Sequence, residues 1–208
     1  MTGGLLLLGA GGLTREVLAS GISGVVGVLD DDEARRGTEV AGIPVLGPIA
    51  TAIGRDEQLL VCIGPSRIRR GVVRALDAAG VPAERHATYI APSARVGAGC
   101  VVAPGSILLD GVVVTADAMI GRHVVAMPNC VVTHDDVLAD FVTLAAGVAL
   151  GGRVLIGEAA YVGMNASVRP DCSIGREATV GMGAVVLVDV PAEETWAGVP
   201  ARPLGVFA

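Results

Sequence analysis

The sequence predicts two parts, a small α/β unit over residues 1–85 and a parallel β-helix over residues 86–208. Three observations carry this expectation. An aliphatic residue recurs every six positions from Ile90 to Val186. Before it, a strand, a glycine turn, a helix and another strand follow one another. The 208 residues are 52% hydrophobic but only 2% aromatic, so the interior must be built from Val, Leu, Ile and Ala. A chain of this length can bury one substantial core or two modest ones.

In the first part, Leu5 to Leu8 reads as a strand, Gly9-Ala10-Gly11-Gly12 as a turn and Thr14 to Ser20 as a helix. Val25 to Leu29 is a second strand ending in Asp30-Asp31-Asp32, and Leu59 to Ile63 a third, ending in Gly64-Pro65. A helix over Ile68 to Ala79 completes a small parallel unit. The glycine turn offers free N–H groups and a helix N-terminus to an anion. Asp30, at the end of the next strand, can accept hydrogen bonds from a ribose or a base.

In the second part the period of six runs through Ile90, Val96, Val102, Leu108, Val114, Ile120, Ala126, Val132, Leu138, Leu144, Leu150, Ile156, Val162, Val168, Ile174, Val180 and Val186, weakened only at Ala126. Four residues after nearly every one stands a small residue or Val, as at Ala94, Cys100, Ala118, Cys130, Val142, Ala160 and Cys172. That residue precedes the next aliphatic by two and so shares its inward face. A fixed short period means stacked turns, and three hexads make one triangular turn of 3 × 6 = 18 residues. Glycines after the aliphatic, such as Gly97, Gly121, Gly151 and Gly163, are expected at corners that need unusual dihedrals. Ordinary buried parallel strands would need helical crossovers, for which the repeats leave no room.

Several classes are excluded. Charge-free runs such as Val40 to Gly54 are too short for a bilayer and are broken by Gly and Pro, so no membrane partner is expected. The start lacks a basic leader, which makes a cytoplasmic protein the expectation. The formal net charge of -6, with scattered arginines, gives no footprint for nucleic acid. Cys62, Cys100, Cys130 and Cys172 lie far apart with no CxxC pair, so neither zinc nor disulfides are expected and the thiols read as small core residues.

These residues resemble the hexapeptide-repeat acyltransferases, which implies that the β-helix is left-handed. Gly198-Val199-Pro200-Ala201-Arg202 looks like that superfamily's closing motif near the coenzyme A site. A Rossmann-like nucleotide-binding α/β unit joined to such a helix resembles, more narrowly, the NeuD/PglD-type sugar acetyltransferases. That likeness implies an acetyl-CoA-dependent enzyme acting on a nucleotide-linked sugar, assembled as a homotrimer with coenzyme A between adjacent helices. It implies His134 as general base, with Asp135 beside it, and Gly152, one turn later, as the N–H donor to the acetyl carbonyl. Met164 and Met182 match places lining the coenzyme A groove, and Thr143 stands where the family has a second His near the acetyl group. Substrate contacts fall on Gly11, Gly12, Leu13, Asp30, Asp31 and Gly64. Leu13 replaces a family His in the glycine turn, and Asp136 takes an inward place that the repeat fills with Cys or Val.

An unperturbed His near pKa 6.5 suits base work at neutral pH, and no nucleophile stands near His134 for a covalent acyl-enzyme. N-acetylation of an amino sugar is the leading reading, and O-acetylation of a sugar hydroxyl would use the same groups. An NAD-dependent oxidoreductase lacks a second half for the nicotinamide. A zinc-dependent carbonic anhydrase lacks three convergent histidines, since only His86, His123 and His134 exist. A non-catalytic scaffold would fail to bind coenzyme A.

Overall fold

The computed structural model describes residues 3–205, and these form both expected parts. The first part is a five-stranded sheet of β1 (Leu5–Leu8), β2 (Val25–Leu29), β3 (Glu39–Val40), β4 (Ile43–Gly47) and β5 (Gln58–Val61), in the order β3-β4-β2-β1-β5. All neighbours are parallel except β3 and β4. Helix α1 (Gly12–Ala19) covers one side, where Leu13 and Val17 meet Leu7 and Val28. Helix α2 (Ser66–Ala78) covers the other, where Val73 and Leu76 meet Leu6 and Leu8. Burial on both sides explains why β1 is an unbroken leucine run. The β3/β4 hairpin is absent from the sequence reading because Pro44 interrupts a short run and reads as a break.

From Tyr89 onward, two-residue strands stack into a three-faced prism with the predicted step of one turn. Val113 pairs with Val131, Val131 with Ala149, and Ser167 with Val185. Face I contains Val125–Ala126, Thr143–Leu144 and Tyr161–Val162; face II contains Val131–Val132, Ala149–Leu150 and Ser167–Val168; face III contains Met119–Ile120, Val137–Leu138 and Leu155–Ile156. Inward positions are closed, with Cys130, Val132, Leu138 and Leu144 at most 1% exposed. At the open first turn Ile90 is 41% exposed, having only Leu108 beside it, and at the far end Trp196 joins the core.

The corner glycines act differently from the expectation. The positive φ falls two residues after them, at Gly99, His123, Arg153, Ala159 and Asn165 among others. Gly97, Gly121, Gly157 and Gly163 are needed instead because a Cβ there would strike backbone atoms of the next turn. Close stacking, not an unusual dihedral, selects glycine at these places.

The α/β unit sits on face I, where the outward side chains of Ile107, Val125 and Thr143 are buried beneath it. Ion pairs from Arg70 and Arg74 to Glu158, and from Arg67 and Arg70 to Glu177, fasten α2 along the same face. Among the described residues no helix is long and apolar enough to cross a membrane.

Candidate functional site

His134 lies on the edge between faces II and III, in the turn after Val132. Asp135 follows in the left-handed region at φ 62°, which a short polar side chain tolerates, and turns its carboxylate back to the ring. The His134 Nδ1 to Asp135 Oδ2 distance is 2.8 Å, and both side chains remain more than half exposed. With Nδ1 carrying the proton toward Asp135, Nε2 presents its lone pair outward. Gly152 lies directly under the ring, one turn on, and a Cβ at Gly152 would collide with the imidazole. Its N–H donates to no acceptor among the described residues.

Asp136 fixes this turn from inside. Fully buried, it accepts Thr133 N at 2.7 Å and Val154 N at 2.8 Å, tying the His134 turn to the Gly152 turn. Burial pushes its carboxyl above the ordinary range, and the two amide donors oppose that shift. The residue thus fills the place of a core Cys or Val by satisfying two backbone amides.

A cavity of about 420 Å³ opens in the α/β unit between the glycine turn, Asp30, Asp31, Leu13 and Gly64. Ideal Cβ atoms on Gly11 and Gly12 meet nothing within 4 Å, so both glycines keep this mouth open. Asp30 accepts Ala10 N at 2.5 Å and Asp32 N at 2.8 Å, so it braces the glycine turn as well as facing the cavity. Asp31 accepts Ile49 N at 2.8 Å. A second cavity of about 420 Å³ adjoins the first, sharing Gly64, Pro65 and Met127, and runs over face I past Thr143 and Tyr161.

Thr143 is held by the protein itself. It is 1% exposed, and its hydroxyl meets Gly64 O at 3.0 Å, Ser66 Oγ at 2.9 Å and Arg69 Nη2 at 2.9 Å. The hydroxyl proton is thus engaged by the protein, and Thr143 sits on face I, apart from the His134 edge of the same chain. Met164 and Met182, 46% and 73% exposed, lie on yet another edge, between faces I and II. Within one chain, therefore, His134, Asp135 and Gly152 come together on one edge, while Gly11, Gly12, Leu13, Asp30, Asp31 and Gly64 line the first cavity elsewhere.

Comparison with known proteins bears on the family and the fold. A family described as bacterial transferase hexapeptide (six repeats) matches residues 153–187. The acetyltransferase domain of PglB from Neisseria gonorrhoeae, solved with acetyl coenzyme A, is 31% identical with a TM-score of 0.87, over 96% of this chain and 98% of that one. A variant of GDP-perosamine N-acetyltransferase from Caulobacter crescentus, solved with CoA and GDP-perosamine, is 31% identical with a TM-score of 0.88, over 99% and 98%. The chain belongs to the hexapeptide-repeat sugar acetyltransferases. WeeI from Acinetobacter baumannii is 29% identical to this acetyltransferase with a TM-score of 0.86, over 98% of this chain and 100% of that one. Comparison with curated protein sequences gives no match. The acetyltransferase's β-helix is left-handed, as the resemblance implied.

Two structural residues of this acetyltransferase escaped the sequence reading. Arg69 is fully buried, and Asp136 was read only as a departure from the repeat. The signal for Arg69 was present: Ser66, Arg69, Val73 and Leu76 form the buried stripe of α2 at helical spacing, which places a charge on an apolar face.

Proposed function

We propose that this acetyltransferase moves the acetyl group of acetyl-CoA to the amine of a nucleotide-linked amino sugar, with His134 as general base. The observation that carries the reading is the exposed His134 imidazole, held by Asp135 and resting on Gly152. The amine nitrogen attacks the thioester carbonyl, and Nε2 of His134 takes the proton that nitrogen sheds. The carbonyl oxygen, now negative, accepts the Gly152 N–H. The C–S bond then breaks, and the imidazolium returns the proton to the departing thiolate, giving amide and free coenzyme A. Asp135 stabilises the imidazolium between the two steps.

The nucleotide sits in the first cavity, over the glycine turn and against Asp30 and Asp31, and the sugar extends past Gly64. Support comes from the ligands bound in the perosamine N-acetyltransferase structure, CoA and GDP-perosamine. Because the first cavity and His134 occupy separate places on one chain, a complete site needs a second copy. The homotrimer supplies it, through the exposed stripe of Val101, Met119, Val137 and Leu155 on face III. Coenzyme A then runs between neighbouring helices past Met164 and Met182. The enzyme works in the cytoplasm, where acetyl-CoA and nucleotide sugars both occur.

Incubation with labelled acetyl-CoA and a panel of UDP- and GDP-linked amino sugars tests the proposal. Transfer to an amine supports it; transfer only to hydroxyl acceptors, or thioester hydrolysis without transfer, overturns it.

A further inference from the structure

Arg69 is the largest fully buried side chain, and it makes no salt bridge among the described residues. Its donors go to backbone carbonyls and one hydroxyl. Nε reaches His123 O at 2.8 Å, and Nη1 reaches Ile63 O at 2.6 Å and Gly64 O at 2.7 Å. Nη2 reaches Phe141 O at 2.9 Å, Val142 O at 3.1 Å and Thr143 Oγ1 at 2.9 Å. A guanidinium buried without a carboxylate is costly, and nothing about simple docking requires it, since Arg70 and Arg74 already pair α2 with Glu158. What the charge does fix is the loop after β5. Gly64 O receives both Arg69 Nη1 and the Thr143 hydroxyl, and Gly64 is shared by the two cavities.

We propose that Arg69, acting through Thr143, is a positioning residue that sets where the acceptor crosses from the first cavity to the second. Arg69 touches no ligand itself. It holds Gly64 at the crossing point, with Ile63 on one side and face I on the other, so that the nucleotide and the sugar are presented at a fixed offset. The inference rests on the acceptor placement given above, and it adds the residues that enforce that placement. Thr143, expected near the acetyl group, becomes the relay between the guanidinium and the Gly64 carbonyl.

Kinetics of Thr143→Val and Arg69→Lys test this. Thr143→Val keeps the shape and removes only the hydroxyl, so it should fold as the wild type does, with a melting temperature lowered by a few degrees. For both variants KM for the aminated acceptor should rise about tenfold or more, the equivalent of one lost buried hydrogen bond, while KM for acetyl-CoA stays within about twofold. Thr143→Ser should recover most of the loss, and Arg74→Ala, which breaks only a surface pair between the units, should move neither constant. An equal rise in both KM values, or an unchanged acceptor KM in Thr143→Val, overturns the proposal. If the wild type acetylates no amine, the proposed reaction fails, and titration with UDP and GDP alone still decides the role of Arg69. Affinity for a nucleotide that falls about tenfold in Thr143→Val sustains it. Equal affinity, or no binding of either nucleotide to the wild type, overturns it.

Discussion

The His134 imidazole lies over Gly152 so closely that any side chain at Gly152 would take up the volume of the ring. In the proposed mechanism the glycine serves the base as well as the thioester. Gly152→Ala should therefore displace the imidazole without unfolding the helix, since the inward residues Leu150 and Val154 are untouched. We expect kcat to fall about as far as on removal of the base, by 10² to 10⁴. A Gly152→Ala enzyme with normal kcat would falsify the stacked arrangement as a catalytic requirement.

Removing the proposed base gives the sharpest contrast. His134→Ala should lower kcat by about 10² to 10⁴ while coenzyme A binding and assembly stay intact. Asp135→Asn should cost less, because it removes only the partner of Nδ1 and leaves Nε2 in place. Stopped-flow or coupled thiol-release assays at neutral pH measure both. Near-normal turnover in His134→Ala would move the base elsewhere.

The glycine turn makes a different demand. Gly11 has open space where a Cβ would stand, so Gly11→Val should fold normally yet project into the first cavity. The acceptor KM should rise by about tenfold or more, with the acetyl-CoA KM unchanged. A Gly11→Val enzyme with wild-type acceptor KM would place the nucleotide outside this cavity.

Acid should loosen the joint between the units. His123 is fully buried, its ring stacked on Phe141 at 5.4 Å and set edge-on to His86 at 4.7 Å. No ring nitrogen of the pair has a hydrogen-bond partner among the described residues. Burial, followed by the charges of His86, Arg122 and Arg69, pulls His123 down to about 3, from an ordinary 6.5. Burial lowers His86 too, against the opposing pull of Asp77. Between pH 6.5 and about 3 the unfolded chain therefore binds a proton at His123 that the folded chain refuses. The stability is fully present above that window and declines as pH falls through it, by about 1.4 kcal/mol per unit from this one site. His123→Phe should preserve the stack and flatten the slope of stability against pH. Denaturant melts across this window check it, and parallel slopes for the two proteins would refute the assignment.

Much of the molecule was legible in the sequence because its order is local and periodic. A hexad decides which side chains point inward, and multiples of three hexads decide which residues stack, so the prism and the alignment of His134 with Gly152 both followed from counting. The same counting places Met164 and Met182 on a different edge from His134, since 30 and 48 are not multiples of 18. The tertiary structure alone decided the rest. It showed that Thr143 spends its hydroxyl on Gly64 and Arg69, that Asp136 closes two backbone amides from within the core, and that Arg69 answers carbonyls of both units. Apart from the Thr143–Arg69 pair, those partners are main-chain groups, which every residue carries, so the sequence holds no mark of which of them a buried side chain will meet.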